Sequence, residues 1–322
     1  MNSKIGITVL GASITSFLIL ILITGYLNET VTEDSRYVQQ KFYEQLDTNQ
    51  KIFLIGSSHL IALNATHIQD YLKNNHQSYE VYNLAIGGDK INERVKTVDM
   101  IIHSKPDIVV YGIASDDFVD RRSLKNVDDQ KQQNYMPDPS GFFHDMLTSF
   151  GSNFNYESIE HPRELVGNFL FKITEQPNQI DNRQTSMPFV SITDEEVKII
   201  DKNELKPRPY NEFGIIQTPI KNKRLAEFKE ILKELKNNNI KIIIFTTPYS
   251  RVFLDSIPSS NTATFNLILK QISDEFNVKI YSLTYRYADL NIWHDYQHLA
   301  ITKNSIIYSD DIAKIILTEI VT

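Results

Sequence analysis

The sequence predicts a layered α/β fold in which helices cover both faces of a central parallel sheet. Two features of its 322 residues carry that expectation. Apolar runs of strand length recur, several of them ending at Gly or Pro, and stretches of helical period with charged outer faces lie between them. Parallel strands covered on both faces read as continuous apolar runs, because neither side meets water.

The chain opens with residues 1–4, expected as a short cytoplasmic N-terminus, and then "IGITVLGASITSFLILILITGYL" over residues 5–27. These 23 residues contain no charged side chain. As a helix they would rise about 34 Å, enough to cross the hydrocarbon core of a bilayer, and the expectation is a transmembrane anchor. The alternatives are a cleaved signal peptide and a buried globular helix. An apolar signal region is usually shorter and precedes a small-residue cleavage site, whereas the exit here reads "GYLNETVTED". Lys4 and the terminal amine precede the span, which biases its N-terminus inward and places the remainder outside the cytoplasm.

A polar stalk (residues 28–50) leads into the main domain, residues 51–322. The first strand is "KIFLI" at 51–55, closed by Gly56. Next come "YEVYNLAI" at 79–86, ending at Gly87-Gly88, and "PDIVVYGIA" at 106–114, β-branched after its proline. The segment of about 118–218 breaks the rhythm, being polar, Asn/Gln-rich and dotted with aromatics and prolines. It reads as an insertion after the third strand, covering the strands' C-terminal ends. In "PIKNKRLAEFKEILKELK", Leu225, Phe228, Ile231, Leu232 and Leu235 recur at helical spacing, and Asn237-Asn238-Asn239 ends the helix. The fourth strand is "IKIIIFTT" at 240–247 and a fifth, shorter one lies in "NVKIYSL" at 277–283. "TKNSIIYSDDIAKIILTEI" reads as a terminal amphipathic helix.

Composition narrows the function classes. The formal net charge is −7 with no dense Lys/Arg run, so the footprint of a nucleic-acid binder is missing. Cysteine is absent, which removes disulfides, thiol nucleophiles and thiolate metal sites. No GxGxxG or GxxxxGK[ST] motif occurs, and no cofactor is expected.

In open α/β sheets ligands sit beyond the carboxyl ends of the strands. The loops there read "GSSH", "GGDK" and "ASDD". Ser at the start of a helix is a good N-cap, and taken alone capping explains Ser57 and Ser58 better than nucleophilic chemistry does. Near the C-terminus, "IWHDYQHLAITKNS" places Asp295 three residues before His298. A carboxylate beside an imidazole fixes its tautomer and stabilises the imidazolium formed in proton transfer. A surface Asp–His pair and a metal site are the alternatives, though with His294 added the ligand count still falls short. Together a hydroxyl, an imidazole and a carboxylate are the parts of serine acyl transfer. His59 reads as a helix-start residue in preference to a second base, Trp293 as packing beneath the Asp–His loop, and "TTPYS" at 246–250 equally as a strand end that lines the pocket or as one simply terminated by Pro248.

These pieces resemble the SGNH (GDSL-type) hydrolase superfamily. The Gly-Asp-Ser block falls on Gly56-Ser57-Ser58, with Ser57 replacing the Asp, a variant associated with membrane-anchored members. "NLAIGG" matches the second block, from Asn83 to the oxyanion glycine, Gly88. Asp-x-x-His falls on Asp295 and His298. The third block departs: Gly-x-Asn-Asp is expected, and this chain reads "GIASDD", placing Asp116 where the Asn amide would donate, with Ser115 beside it. The resemblance implies a flavodoxin-like α/β/α three-layer fold, Ser58 as nucleophile, His298 as base and Asp295 as its orienter. It implies an oxyanion hole of Ser58, Gly88 and Asp116 (or Ser115). An anchored member also resembles the envelope proteins of teichoic-acid D-alanylation and polysaccharide O-acetylation. That implies an acylated glycan or envelope polymer as substrate and a membrane-bound O-acyltransferase as partner. The rivals are a non-catalytic accessory or binding module of the same fold and a soluble intracellular esterase.

Overall fold

The computed structural model describes residues 38–46, 49–119, 187–189, 196–206 and 214–321. The expected anchor at 5–27 lies outside them. Among the described residues no helix is long and apolar enough to cross a membrane. The chain divides into two compact units. One comprises residues 1–45 and 135–179, of which the described part, 38–45, is helical. The other comprises residues 46–134 and 180–322 and holds the sheet.

Five parallel strands form that sheet: β1 (Lys51–Ile55), β2 (Glu80–Asn83), β3 (Ile108–Ile113), β4 (Lys241–Thr246) and β5 (Ile280–Ser282), in the order β2-β1-β3-β4-β5. All five expected strands are present, with ladders shorter than the apolar runs at β2 and β5. Beyond β2 the chain stays beside β1 through Leu84 N–H to Leu54 O (2.8 Å) and Ile86 N–H to Gly56 O (3.2 Å).

Helices α1 (Ala65–Asn74), α2 (Ile91–His103), α3 (Lys223–Asn237), α4 (Arg251–Ser256), α5 (Ser259–Phe276) and α6 (Ile306–Val321) complete the unit. α1 packs on α6, and α2 on α3. Successive strand residues point to opposite faces. On one, Ile52, Leu54 and Val110 join Ile68 and Leu72 of α1 and Tyr308, Ile312 and Ile316 of α6 in one core. On the other, Tyr111 of β3 meets Phe228 of α3 edge-on, with ring centroids 4.9 Å apart. Burying each such side chain contributes about 1.5–3 kcal/mol. Caps fix the helix starts: Asn64 accepts from His67 N–H and Asn222 from Leu225 N–H. The left-handed Asn277 (φ 50°) ends α5.

The hydroxyls after β1 do not cap a helix. Ser58–Leu60 is a single 3-10 turn, Ser57 precedes it without a side-chain cap bond, and α1 begins only at Ala65. Helix α6 is likewise led in by a 3-10 turn, Lys303–Ser305. In the described parts of the 118–218 segment, Val119 bridges Ile216 within the segment itself, and Ile200 N–H reaches Trp293 O at 2.9 Å.

Candidate active site

Two glycines shape the turn carrying Ser58. Gly56 has φ +155°, and a Cβ there would stand 2.7 Å from the Gly112 carbonyl oxygen and 2.9 Å from Leu60 Cδ1. A Cβ on Gly112, in the adjacent β3, would meet Leu60 Cδ1 at 2.5 Å and Phe245 at 2.7 Å. The fully buried Leu60 fills the hollow both glycines leave, so the 3-10 turn sits flush on the strand ends. From β2, the buried Asn83 amide donates to the carbonyls of Leu60 (2.8 Å) and Leu63 (2.9 Å), while its oxygen accepts from Ala85 N–H (3.2 Å). Asn83 therefore acts as a brace for the turn.

Ser58 Oγ lies 2.9 Å from His298 Nε2, although the two are 240 positions apart. His298 Nδ1 lies 2.7 Å from Asp295 Oδ2. An ionised carboxylate only accepts, so Nδ1 carries the hydrogen and the Nε2 lone pair faces the Ser58 hydroxyl. The other carboxylate oxygen accepts from the backbone N–H groups of Gln297 and His298, both at 2.7 Å. Burial alone would raise the Asp295 pKa, but the His298 ring and these two N–H donors outweigh it and hold the carboxyl below its ordinary range. The loop closes on itself: His294 N–H reaches His298 O at 2.9 Å, and Trp293 bridges Leu299. Trp293 is buried, as the sequence suggested.

Gly88 takes φ +68°, a left-handed conformation suited to glycine. Among the described residues no protein acceptor takes the N–H of Ser58 or of Gly88. The next residue, Asp89, is anchored by the buried Arg94 of α2, whose Nε donates to Asp89 Oδ2 at 2.9 Å.

Asp116 departs from the expected oxyanion donor. Its Oδ1 accepts from the Tyr249 hydroxyl at 3.0 Å and lies 3.8 Å from His59 Nε2. Burial opposes its ionisation, yet His59, the Tyr249 hydroxyl and a backbone N–H together hold the carboxyl well below its usual range. A carboxylate so held is an acceptor and has no proton for an oxyanion. Ser115 is engaged as well: its N–H donates to Tyr249 Oη at 3.0 Å, and its hydroxyl lies 3.3 Å from the same oxygen. The donors that remain in this arrangement are the two backbone N–H groups of Ser58 and Gly88.

Asp117 behaves oppositely to its neighbour. Burial and the Asp116 charge push its pKa well above 3.8, while its Oδ2 accepts from Ala114 N–H at 2.7 Å. The folded chain then binds this proton more tightly than the unfolded one, so its contribution to stability falls as pH rises from about 3.8 through the folded pKa. Asp117→Asn keeps an acceptor for Ala114 without the charge. Thermal unfolding of this variant is expected to match wild type at pH 4 and to exceed it at pH 8; a lower melting temperature at pH 8 contradicts the assignment.

No protein-family model and no curated protein sequence matches the chain. Among solved structures it is similar to the crystal structure of TesA, at 9% identity and a TM-score of 0.42. The alignment covers 83% of this chain and 97% of that one. What the site can do follows from its own geometry.

Two residues of the site were not assigned to it from sequence. His59 is only 6% exposed, and its Nδ1 lies 3.1 Å from the Gln297 carbonyl oxygen. Tyr249, given only as part of a pocket-lining strand end, is the hub linking Ser115 and Asp116. A partial signal existed: an acid, Asp116, stands where an amide is expected, and an ionisable ring, His59, directly follows Ser58.

Proposed function

We propose that this chain is an SGNH-type serine esterase or O-acyltransferase. The observation that supports it is the unbroken hydrogen-bonded series Ser58–His298–Asp295 at the carboxyl end of a parallel sheet. His298 Nε2 takes the Ser58 proton as Oγ forms a bond to the acyl carbonyl carbon. The developing oxyanion is held by the N–H groups of Ser58 and Gly88. His298 then returns the proton to the departing alcohol as the C–O bond breaks, leaving an acyl-Ser58 ester. Water or a sugar hydroxyl, deprotonated by the same imidazole, takes the acyl group.

The finer reading is a membrane-anchored protein with its site outside the cytoplasm, serving an acylated envelope glycan beside a membrane-bound O-acyltransferase. Its support is the uncharged stretch 5–27 and the single Lys4 before it. A second reading, a non-catalytic module of the same fold, draws on Asp116, because loss of one oxyanion donor raises a barrier by about 2.7–4 kcal/mol.

Full-length protein in detergent, treated with a fluorophosphonate probe and digested for mass spectrometry, is expected to carry the label on Ser58. Folded protein that stays unlabelled while p-nitrophenyl acetate persists would overturn the enzyme reading in favour of the binding module.

A further inference from the structure

We infer that His59, seated between Asp116 and the Gln297 carbonyl, is a positioning residue that holds the ring of His298 toward Ser58. The inference rests on the serine-hydrolase reading above and gives Asp116, which departs from the family pattern, a role beside His59.

His59 touches the Asp295–His298 loop in two ways. Its Nδ1 lies 3.1 Å from the carbonyl of Gln297, the residue directly before His298. A carbonyl only accepts, so that nitrogen carries the hydrogen. Its ring also stacks on that of His298, with centroids 5.0 Å apart and an interplanar angle of 29°. The first contact sets the backbone from which His298 springs, and the second limits the rotation of its ring about the side-chain bonds.

His59 is itself fixed from behind. Its Nε2 faces Asp116 Oδ1 at 3.8 Å, and Tyr249 meets its ring edge-on, with centroids 5.3 Å apart at 87°. Tyr249 in turn donates to Asp116 and accepts from Ser115 N–H, so the wall is tied to the end of β3. A ring with two different nitrogens has two flip states. Nδ1–H on the Gln297 carbonyl selects one of them, and Asp116 acts on the ring through Tyr249, from whose hydroxyl it accepts and whose ring packs edge-on against His59. Asp116 therefore belongs with His59: an oxyanion donor is absent at this position, and the acceptor that stands there steadies the ring behind the base.

The test is a cycle of variants read by the rate of Ser58 labelling with the fluorophosphonate probe, alongside melting temperature. His59→Phe keeps a ring and removes the donor. It is expected to slow labelling by about 10- to 100-fold, the loss that displacement of a reacting group by about 1 Å brings. His59→Asn restores a donor toward Gln297 and is expected to recover part of that rate. Asp116→Ala is expected to slow labelling less than His59→Phe and to add nothing in the His59→Phe background, because both act through one ring. Labelling of His59→Phe at the wild-type rate, even with a lowered melting temperature, would make His59 merely structural and overturn the inference. Effects of His59→Phe and Asp116→Ala that multiply would break the link between them and overturn it equally. Wild-type protein that never labels refutes the enzyme reading itself, a separate outcome.

Discussion

Ser58→Ala is expected to lower the rate of p-nitrophenyl acetate turnover by about 10⁴- to 10⁶-fold, while leaving the melting temperature near that of wild type. Its hydroxyl makes one hydrogen bond, to His298 Nε2, and is partly exposed, so removing it leaves no buried partner stranded. Deleting His298 in the same chain is expected to add little, since nucleophile and base act as a unit and neither serves without the other. Residual turnover would come from the backbone N–H groups of Ser58 and Gly88. Steady-state kinetics of the single and double variants check this. Turnover by Ser58→Ala at the wild-type rate would place the chemistry elsewhere.

The second large effect is on stability. Arg94→Met leaves the Asp89 carboxylate, whose side chain is 8% exposed, without its guanidinium partner. Breaking one side of a buried pair costs about 3–5 kcal/mol, because the carboxyl left behind, whose pKa burial already raises, must hold its charge away from water or take up a proton. In a unit of this size each kcal/mol moves the melting temperature by roughly 2–4 °C, so a fall of roughly 6–20 °C is expected by circular dichroism. Asp89→Asn in the same chain removes the stranded charge and should restore part of the loss. A single variant that melts with wild type would show that the Arg94–Asp89 pair contributes nothing to the fold. Since Asp89 follows Gly88 directly, the single variant should also label more slowly at Ser58.

The strand run "KIFLI" could be read to its last residue because its five residues are all buried and the chain has a glycine at the turn. At β2 and β5 the apolar run outlasts the ladder: Leu84 to Ile86 remain against β1 without completing the strand pattern. Ser58, Asp295 and His298 could be singled out because each sits in a short local pattern whose residue types already suggest their chemistry. The structure brings those three together. Asn83 as a brace, Tyr249 as a hub and His59 behind the base could not be read that way, since each acts through a partner more than fifteen positions away. Asp116 was visible as an anomaly, but its meaning needed the Tyr249 hydroxyl, which arrives from the end of β4. Residues 5–27 and most of 118–218 lie outside the described residues, and their reading rests on the sequence.

The paired glycines Gly56 and Gly112 bear on how this site moves. With Leu60 seated over both, lifting the Ser58 turn away from the sheet would open a leucine-sized void against β3 and β4. Voids of that kind cost about 2.7–5 kcal/mol, which populates the lifted state at only about one molecule in a hundred to one in several thousand. The Ser58 turn is thus a static part of the site, fixed by apolar packing and not by hydrogen bonds alone.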